Sequence, residues 1–445
     1  MKIVLLSGGS GKRLWPLSSD SRSKQFLKIL PGPDSQQYES MVQRIWRQLN
    51  EAGLSKDVFI TAGAGQIEIL QQQLDDRASF IVEPERKDTL PAIFLSVLCL
   101  HHQKKLKTDE VVIVLPVDSY VDRELFLKLP ALEGLLLKSG ADIGLIGVKP
   151  TYPSAKYGYM IPDSKGNAAP FANIKRFVEK PSEKQAEELI AEGGLWNCGV
   201  FAFKGSYLLN KMSERGVSLE YDSFFASYSK LEAQSFDYEI LETSEHIVAA
   251  TYEGDWKDLG TWNTLTEEIA DSFIGKGKMS ADCSNTHVVN ELGIPVHVLG
   301  ISNAVVATSP EGILVTDKSA SPRLKELLTG FQQRLMYEEK SWGWYKVIDH
   351  SVQSEQEYTV SKFRIFKDCK VEIPFLQKMA GYSCSLTRVT VMFGEGLISV
   401  EEKNISLKVG TTLELENTAD SSNSIHAYTE LEFMMISIND IQPMN

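Results

Sequence analysis

Short apolar runs alternate with helical patterns through the first third of the chain. Residues 3–6, 58–61, 80–82 and 111–115 are rich in β-branched side chains and bounded by Gly, Asp or Pro, which predicts buried strands. Between them, residues 38–50, 64–74 and 91–105 carry apolar positions at helical spacing. Strands alternating with helices predict a mostly parallel sheet covered on both faces. Ligands of such sheets sit beyond the carboxyl ends of the strands, so the loops after Leu6 and Leu115 are the first places to look.

Residues 140–270 continue as mixed α/β. From about residue 282 the texture changes. Short strands at 287–289, 296–299, 304–307 and 312–315, separated by turn residues, predict a small stacked-β module, and 321–331 reads as helix. A second change comes at Ser341-Trp342-Gly343-Trp344. Beyond it, strands and turns alternate with little helix, which predicts a compact β-barrel or sandwich. The expected modules are residues 1–275, 282–335 and 340–445.

The chain has 445 residues and a formal charge of −13. Such an acid surplus argues against nucleic acid and anionic membrane as partners. Its distribution is uneven. In residues 1–28, Lys2, Lys12, Arg13, Arg22, Lys24 and Lys28 face Asp20 alone, a net +5, so the other 417 residues carry −18. A basic loop on an acidic body predicts focusing of small polyanions onto one site. The five cysteines are scattered, with no CxxC pair, which favours a reduced compartment. The apolar run at the N-terminus is too short for a signal peptide, and 90–100 is too short and interrupted for a membrane span. The expected location is the cytoplasm.

The first strand leads into Ser7-Gly8-Gly9-Ser10-Gly11-Lys12-Arg13-Leu14. Successive backbone N–H groups in such a loop can cradle phosphate oxygens, and Arg13, Lys24 and Lys28 follow as cations. The spacing is neither that of a P-loop nor GxGxxG. The stretch from Leu6 to Ser18, with Ser23-Lys24-Gln25-Phe26-Leu27 after it, resembles the signature of the mannose-1-phosphate guanylyltransferases, within the sugar-1-phosphate nucleotidyltransferases. Lys12 stands where that family usually has Thr, and Ser23 where it has Pro. The resemblance implies a Rossmann-like nucleotidyltransferase domain of the GT-A-like kind. It also implies GTP and mannose 1-phosphate as substrates, magnesium or another divalent cation such as manganese as cofactor, and a homodimer.

Nucleotidyl transfer joins two anions, so the site must neutralise charge and align the reacting groups. Asp118 follows the strand at 111–115, and Asp258 lies in Asp255-Trp256-Lys257-Asp258-Leu259-Gly260. Each alone reads as well as a turn or cap residue. Both match the family's metal-binding aspartates. The resemblance further assigns the nucleotide to Leu6, Ser7, Gly8, Gly9, Gly11, Lys12, Arg13, Lys24, Lys87, Asp88, Thr89, Pro116 and Asp118. It assigns the sugar phosphate to Tyr157, Gly158, Glu179, Lys180, Asn197, Gly199 and Asp258, and the chemistry to Arg13, Lys24, Asp118, Lys180 and Asp258. Asp88 has two readings, as an acceptor from guanine or as a cap on the helix near Pro91. Ser235-Phe236-Asp237-Tyr238 matches a family segment taken as structural, and Cys198 reads as a small buried residue.

The C-terminal part resembles the short β-helix-like segment of these enzymes followed by the cupin domain of bifunctional phosphomannose isomerase/guanylyltransferases. The family's His-rich cluster is replaced by Leu376-Gln377-Lys378-Met379-Ala380-Gly381, and only His350 and His426 remain in this module. A metal cupin needs about three His and one acid. A degenerate cupin without metal or isomerase activity is therefore expected, serving packing or dimerisation. The alternatives are another hexose-1-phosphate nucleotidyltransferase and a catalytically silent nucleotide-sugar sensor.

Overall fold

The computed structural model describes all residues except 10, 11, 20, 21, 35, 36, 104, 164–170, 332, 354, 355, 381–383, 401, 402, 416–422 and 441–445, and the side chains of 12, 378–380, 384–386 and 440. The chain divides into two compact units, Met1–Leu14 with Ser23–Ala270, and Trp15–Arg22 with Asp271–Asn445.

In the first unit the predicted strands form as β1 (Lys2–Ser7), β2 (Val58–Gly63), β3 (Ser79–Glu83) and β4 (Val111–Pro116). They are followed by β5 (Ser119–Val121), β6 (Ile143–Val148), β7 (Tyr159–Pro162), β8 (Phe171–Val178), β9 (Leu195–Lys204), β10 (Ile247–Tyr252) and β11 (Trp256–Asp258). Among the described residues nine of these make one sheet in the order β3-β2-β1-β4-β9-β6-β10-β8-β7. The first four are parallel, as the alternation predicted, and so are β6 and β10. Strand β9 runs antiparallel to both its main neighbours and carries a register shift between Asn197 and Phe201. Such a bulge re-aims the side chains next to it.

Helices α1 (Met41–Glu51), α2 (Ala64–Gln73), α3 (Thr89–His102) and α4 (Arg123–Ser139) cover the sheet. Two begin at places the periodicity alone misjudges. Ser40 caps α1 in a capping box with Gln43, so Tyr38 and Glu39 fall outside it and pair with Pro31 and Leu30. Asp88 caps α3, which starts ahead of Pro91. From Leu90 to Leu100 every residue of α3 is buried, which explains why that stretch looked apolar all round. Among the described residues no helix is long and apolar enough to cross a membrane.

In the second unit, Phe273–Gly275, His287–Asn290 and Ala304–Ser309 stack in parallel, and Gly312–Asp317 closes the sheet antiparallel. Gly277–Met279 pairs in parallel with Val296–Val298 on another side of the same coil. The predicted helix at 321–331 is shorter, a 3₁₀ turn at Ser321–Arg323 and a single turn at Leu324–Leu327. Among the described residues the last hundred or so positions build a six-stranded and a four-stranded antiparallel sheet around an apolar core, where Phe363 and Phe433 stack at 5.2 Å. At the position of the family's His-rich cluster the chain is a helix, Ile373–Ala380, with Leu376 and Gln377 buried; Gly381 lies outside the described residues.

Candidate active site

The glycine-rich loop is tied to the segment after it by side chains. Ser23 Oγ donates to the Gly9 carbonyl at 3.0 Å, and Gln25 Nε2 donates to Ser7 Oγ at 3.2 Å and the Gly8 carbonyl at 3.3 Å. Gln66 Nε2 in turn donates to Ser23 Oγ at 3.0 Å. Both Ser23 and Gln25 are fully buried, so the bonds Gln25–Ser7 and Gln66–Ser23 form away from competing water, while the two glycine carbonyls are reached from a partly exposed side. Lys24, between them, heads the 3₁₀ turn Lys24–Phe26. The Ser that replaces the family's usual Pro thus serves as donor and acceptor in the neck of the loop.

The two aspartates meet because of a strand pairing absent from the sequence reading. Strand β5 follows Asp118 directly and pairs antiparallel with β11, placing Ser119 opposite Asp258. The Lys24 ammonium lies 3.0 Å from Asp118 Oδ2 and 3.1 Å from Asp258 Oδ1. Burial alone would lower the Lys24 pKa; the two carboxylates outweigh it and the net shift is upward. Two converging carboxylates that already hold one cation are a donor set of hard oxygens, which suits a small divalent ion supported by further ligands from a phosphate substrate. Among the described residues no cluster of three or more His, Cys, Asp or Glu offers a metal site built from protein alone.

A second cluster gathers at the other sugar-phosphate candidates. Strand β8 ends at Val178, and Lys180 adopts φ +45°, which turns the chain out of the strand. Glu179 and Lys180 therefore do not lie on opposite faces; Lys180 Nζ donates to Glu179 Oε1 at 2.7 Å. Asn197 donates from Nδ2 to Asp237 Oδ1 at 2.9 Å and accepts from the Gly199 N–H at 3.0 Å. Burial, then the charge of Asp237, raises the Glu179 carboxyl to about 7 against the pull of Lys180. Burial also raises Asp237. Gly158 is required by close approach: a Cβ there would stand 2.5 Å from Glu179 Oε2 and 2.6 Å from the Phe177 ring.

Asp237 was read as structural, yet it completes this cluster. It opens a π-helical turn, Asp237–Leu241, a form frequent at functional sites. An aromatic wall was also missed. Tyr157 packs edge-on between Trp196 and Trp256, each at 5.0 Å, and Tyr152 meets Trp196 at 5.0 Å. Among the described residues the buried indole N–H groups of Trp196 and Trp256 have no acceptor, an arrangement a hydroxylated ligand would satisfy. These residues line an open cleft that also reaches Arg13 and Asp258.

The nucleotide candidates separate. Leu6 and Pro116 are register partners on β1 and β4, which sets the loops after them side by side. Lys87 donates to the Ser229 carbonyl at 2.7 Å. Asp88 accepts from the Thr89 N–H at 2.7 Å, and Thr89 Oγ1 accepts from the Phe236 N–H at 2.8 Å. Asp88 thus caps the helix through one carboxylate oxygen. Gly11 and the Lys12 side chain lie outside the described residues. Burial holds the Cys198 thiol well above its ordinary pKa, as a small inert residue requires.

The basic loop is less concentrated than its sequence implied. Lys2 pairs with Asp57 at 2.6 Å, Arg22 with Glu291 at 2.8 Å, and Lys24 with the aspartate pair, whereas Arg13 is exposed at the cleft. Among the described side chains of this stretch Arg13 and Lys28 are the exposed cations, with Lys24 as a bridge inside the site.

A nucleotidyl transferase family model matches residues 2–273. A mannose-1-phosphate guanylyltransferase of Escherichia coli is 27% identical over 81% of this chain and 83% of its own length. The xanthan biosynthesis protein XanB of Xanthomonas campestris is 24% identical over 93% of this chain and 92% of its own. A Thermus thermophilus structure, described as a mannose-1-phosphate geranyltransferase, superposes with a TM-score of 0.62 at 26% identity, over 75% of this chain and all but 1% of that one. With the glycine-rich loop, the bridged carboxylates and the strand order all inside the matched span, the chain belongs to the nucleotidyl transferase family.

Proposed function

We propose that this chain is a mannose-1-phosphate guanylyltransferase, forming GDP-mannose and pyrophosphate from GTP and mannose 1-phosphate. The observation that carries the reading is the Lys24 bridge between Asp118 and Asp258 beside the glycine-rich loop, in a chain alike over most of its length to relatives bearing that name. Asp118 and Asp258 would hold a divalent cation, magnesium by the hardness of the donors; such an ion would offset triphosphate charge and polarise the α-phosphate toward attack.

The chain's own groups do the rest. Ser7, Gly8 and Gly9 form the wall against which the triphosphate lies. Lys24 and Arg13 offset its charge. Lys180 holds the sugar phosphate, while Glu179, Asn197 and the indole donors of Trp196 and Trp256 meet sugar hydroxyls. A phosphate oxygen of the sugar attacks the α-phosphorus; the new O–P bond forms as the bond to pyrophosphate breaks, with no covalent enzyme intermediate. We place this activity in the cytoplasm, in a homodimer. A panel of nucleoside triphosphates and sugar 1-phosphates, assayed for pyrophosphate release, tests the reading. GTP with mannose 1-phosphate should be the preferred pair, and no release with any pair defeats it.

A further inference from the structure

Trp15–Arg22 lies in sequence between Arg13 and Lys24, yet it packs within the second unit. Three separate fastenings hold it there. The Trp15 indole sits where Gly312 lacks a side chain; a Cβ at Gly312 would stand 2.5 Å from Trp15 Cζ2. The same indole meets the Phe331 ring edge-on at 6.5 Å. Ser309 Oγ, itself buried, donates to the Pro16 carbonyl at 2.6 Å.

The third fastening is the strongest. Arg22 makes a two-pronged pair with Glu291, Nη1 to Oε2 at 2.8 Å and Nη2 to Oε1 at 3.0 Å. Its Nε faces Glu339 at 3.6 Å, and its guanidinium lies 5.8 Å from the Tyr337 ring centre. The side chain is 11% exposed, so water screens this pair little. Glu291 belongs to the stacked-β coil and Glu339 to the following antiparallel module, in strand Tyr337–Lys340. One guanidinium thus joins both parts of the second unit to the residue two positions before Lys24. Bidentate Arg–carboxylate geometry fixes orientation as well as distance.

We propose that Arg22, anchored by Glu291, is a positioning residue that acts through Lys24, so that the second unit sets the geometry of the phosphate loop. The proposal rests on the nucleotidyl-transfer reading of the loop. It gives the C-terminal part a task separate from chemistry. Segment Trp15–Arg22 is covalently continuous with Arg13-Leu14 on one side and Ser23-Lys24 on the other. Loss of its anchor therefore transmits to both cations, whereas the Glu179–Lys180 cluster is reached by a different part of the chain.

The test compares full-length Arg22→Ala, Arg22→Lys, Glu291→Gln and the exchange Arg22→Glu/Glu291→Arg with the parent protein. Amide hydrogen exchange of the peptide holding residues 23–27 should accelerate at least about tenfold in Arg22→Ala. In the pyrophosphate-release assay kcat should fall at least about tenfold, with the KM for mannose 1-phosphate within about twofold of the parent. Arg22→Lys, which loses the fork, should behave like Glu291→Gln, and the exchange variant should recover part of the loss. Unchanged exchange at 23–27, or Arg22→Ala with parental kcat, overturns the proposal. Should Arg22→Ala fail to fold, Ser309→Ala and Glu291→Gln carry the same two readouts with the same outcomes. Should the parent release no pyrophosphate, the functional reading fails, and hydrogen exchange alone still decides the positioning role.

Discussion

Lys24 Nζ stands 3.0 Å from Asp118 Oδ2, and the same ammonium reaches Asp258 at 3.1 Å. A cation of the chain therefore occupies space between the two carboxylates proposed to hold a divalent ion. On the proposed reading Lys24 and the ion would compete for those oxygens in the protein without nucleotide and cooperate on the triphosphate once it binds. Lys24→Ala should then bind Mn²⁺ at least about tenfold more tightly in the absence of nucleotide. The same variant should lose about 10²-fold or more in kcat. Titration of Mn²⁺ by its paramagnetic signal checks the first, pyrophosphate release the second. Weaker Mn²⁺ binding in Lys24→Ala would rule out the competition.

Asp118→Ala and Asp258→Ala follow from the same relationship. Each removes one proposed ion ligand and one partner of the partly buried Lys24 ammonium. We expect each to lower kcat by about 10²-fold or more, and the double variant to cost far less than the product of the two, because the pair acts as a unit. Thermal unfolding should show a folded protein in both. Either single variant retaining more than about a tenth of parental turnover would contradict the ligand assignment.

Glu179 supplies a pH dependence. Its carboxyl is raised by burial and by Asp237 to about 7 in the folded protein, from 4.5. The folded state therefore holds a proton that the unfolded chain releases between those values. The stability from this group is full below pH 4.5 and is lost as pH rises through about 7. Glu179→Gln should flatten the fall in unfolding midpoint over that window. Deprotonation also strengthens the hold of Glu179 on Lys180, so the KM for mannose 1-phosphate should change across pH 7 in the parent but not in Glu179→Gln. Parallel pH profiles for the two proteins would remove Glu179 as the titrating group.

Much of this was legible in the sequence, and what was not has physical reasons. The parallel block of β1 to β4 shows in runs such as Val111-Val112-Ile113-Val114, because a strand buried on both faces must be apolar throughout. The motif points to Lys24, Asp118 and Asp258, but their convergence depends on the pairing of Ser119 with Asp258, 139 positions apart. Nothing local distinguishes β9 as antiparallel, since its apolar residues would serve either direction. Asp237 escaped because its partner Asn197 is reached only through the bulge in β9. The attachment of Arg22 to Glu291 spans 269 positions, and in the sequence Arg22 counts only as one more charge of a basic stretch.

Asp88 separates its two readings cleanly. Its φ of 68° is a left-handed conformation that a non-glycine residue adopts at a cost, and its carboxylate accepts from Thr89. Asp88→Ala loses the cap and keeps the strained backbone, for an expected cost of about 1 kcal/mol in unfolding free energy. Asp88→Gly relieves the backbone, so it should lose only a few tenths, about 0.3 kcal/mol. As a cap alone, Asp88 leaves the preference for GTP over ATP unchanged in both variants. A drop of about tenfold or more in that preference would restore guanine reading.

Gly158 offers the sharpest test of the sugar-phosphate cluster, because it changes no charge. A methyl group there would stand 2.5 Å from Glu179 Oε2 and 2.6 Å from the Phe177 ring. Phe177 is buried in the sheet core and cannot retreat, so the Glu179 carboxylate must move. Its displacement disturbs the 2.7 Å bond to Lys180 and with it the placement of the sugar phosphate. Gly158→Ala should raise the KM for mannose 1-phosphate about tenfold while the KM for GTP stays within about twofold. Overpacking should also cost about 1–3 kcal/mol of stability. Steady-state kinetics with each substrate varied in turn, beside a denaturant titration, separates the two effects. An equal rise in both KM values would mean that the methyl group disturbs the unit as a whole, and that Glu179 and Lys180 do not set sugar-phosphate affinity.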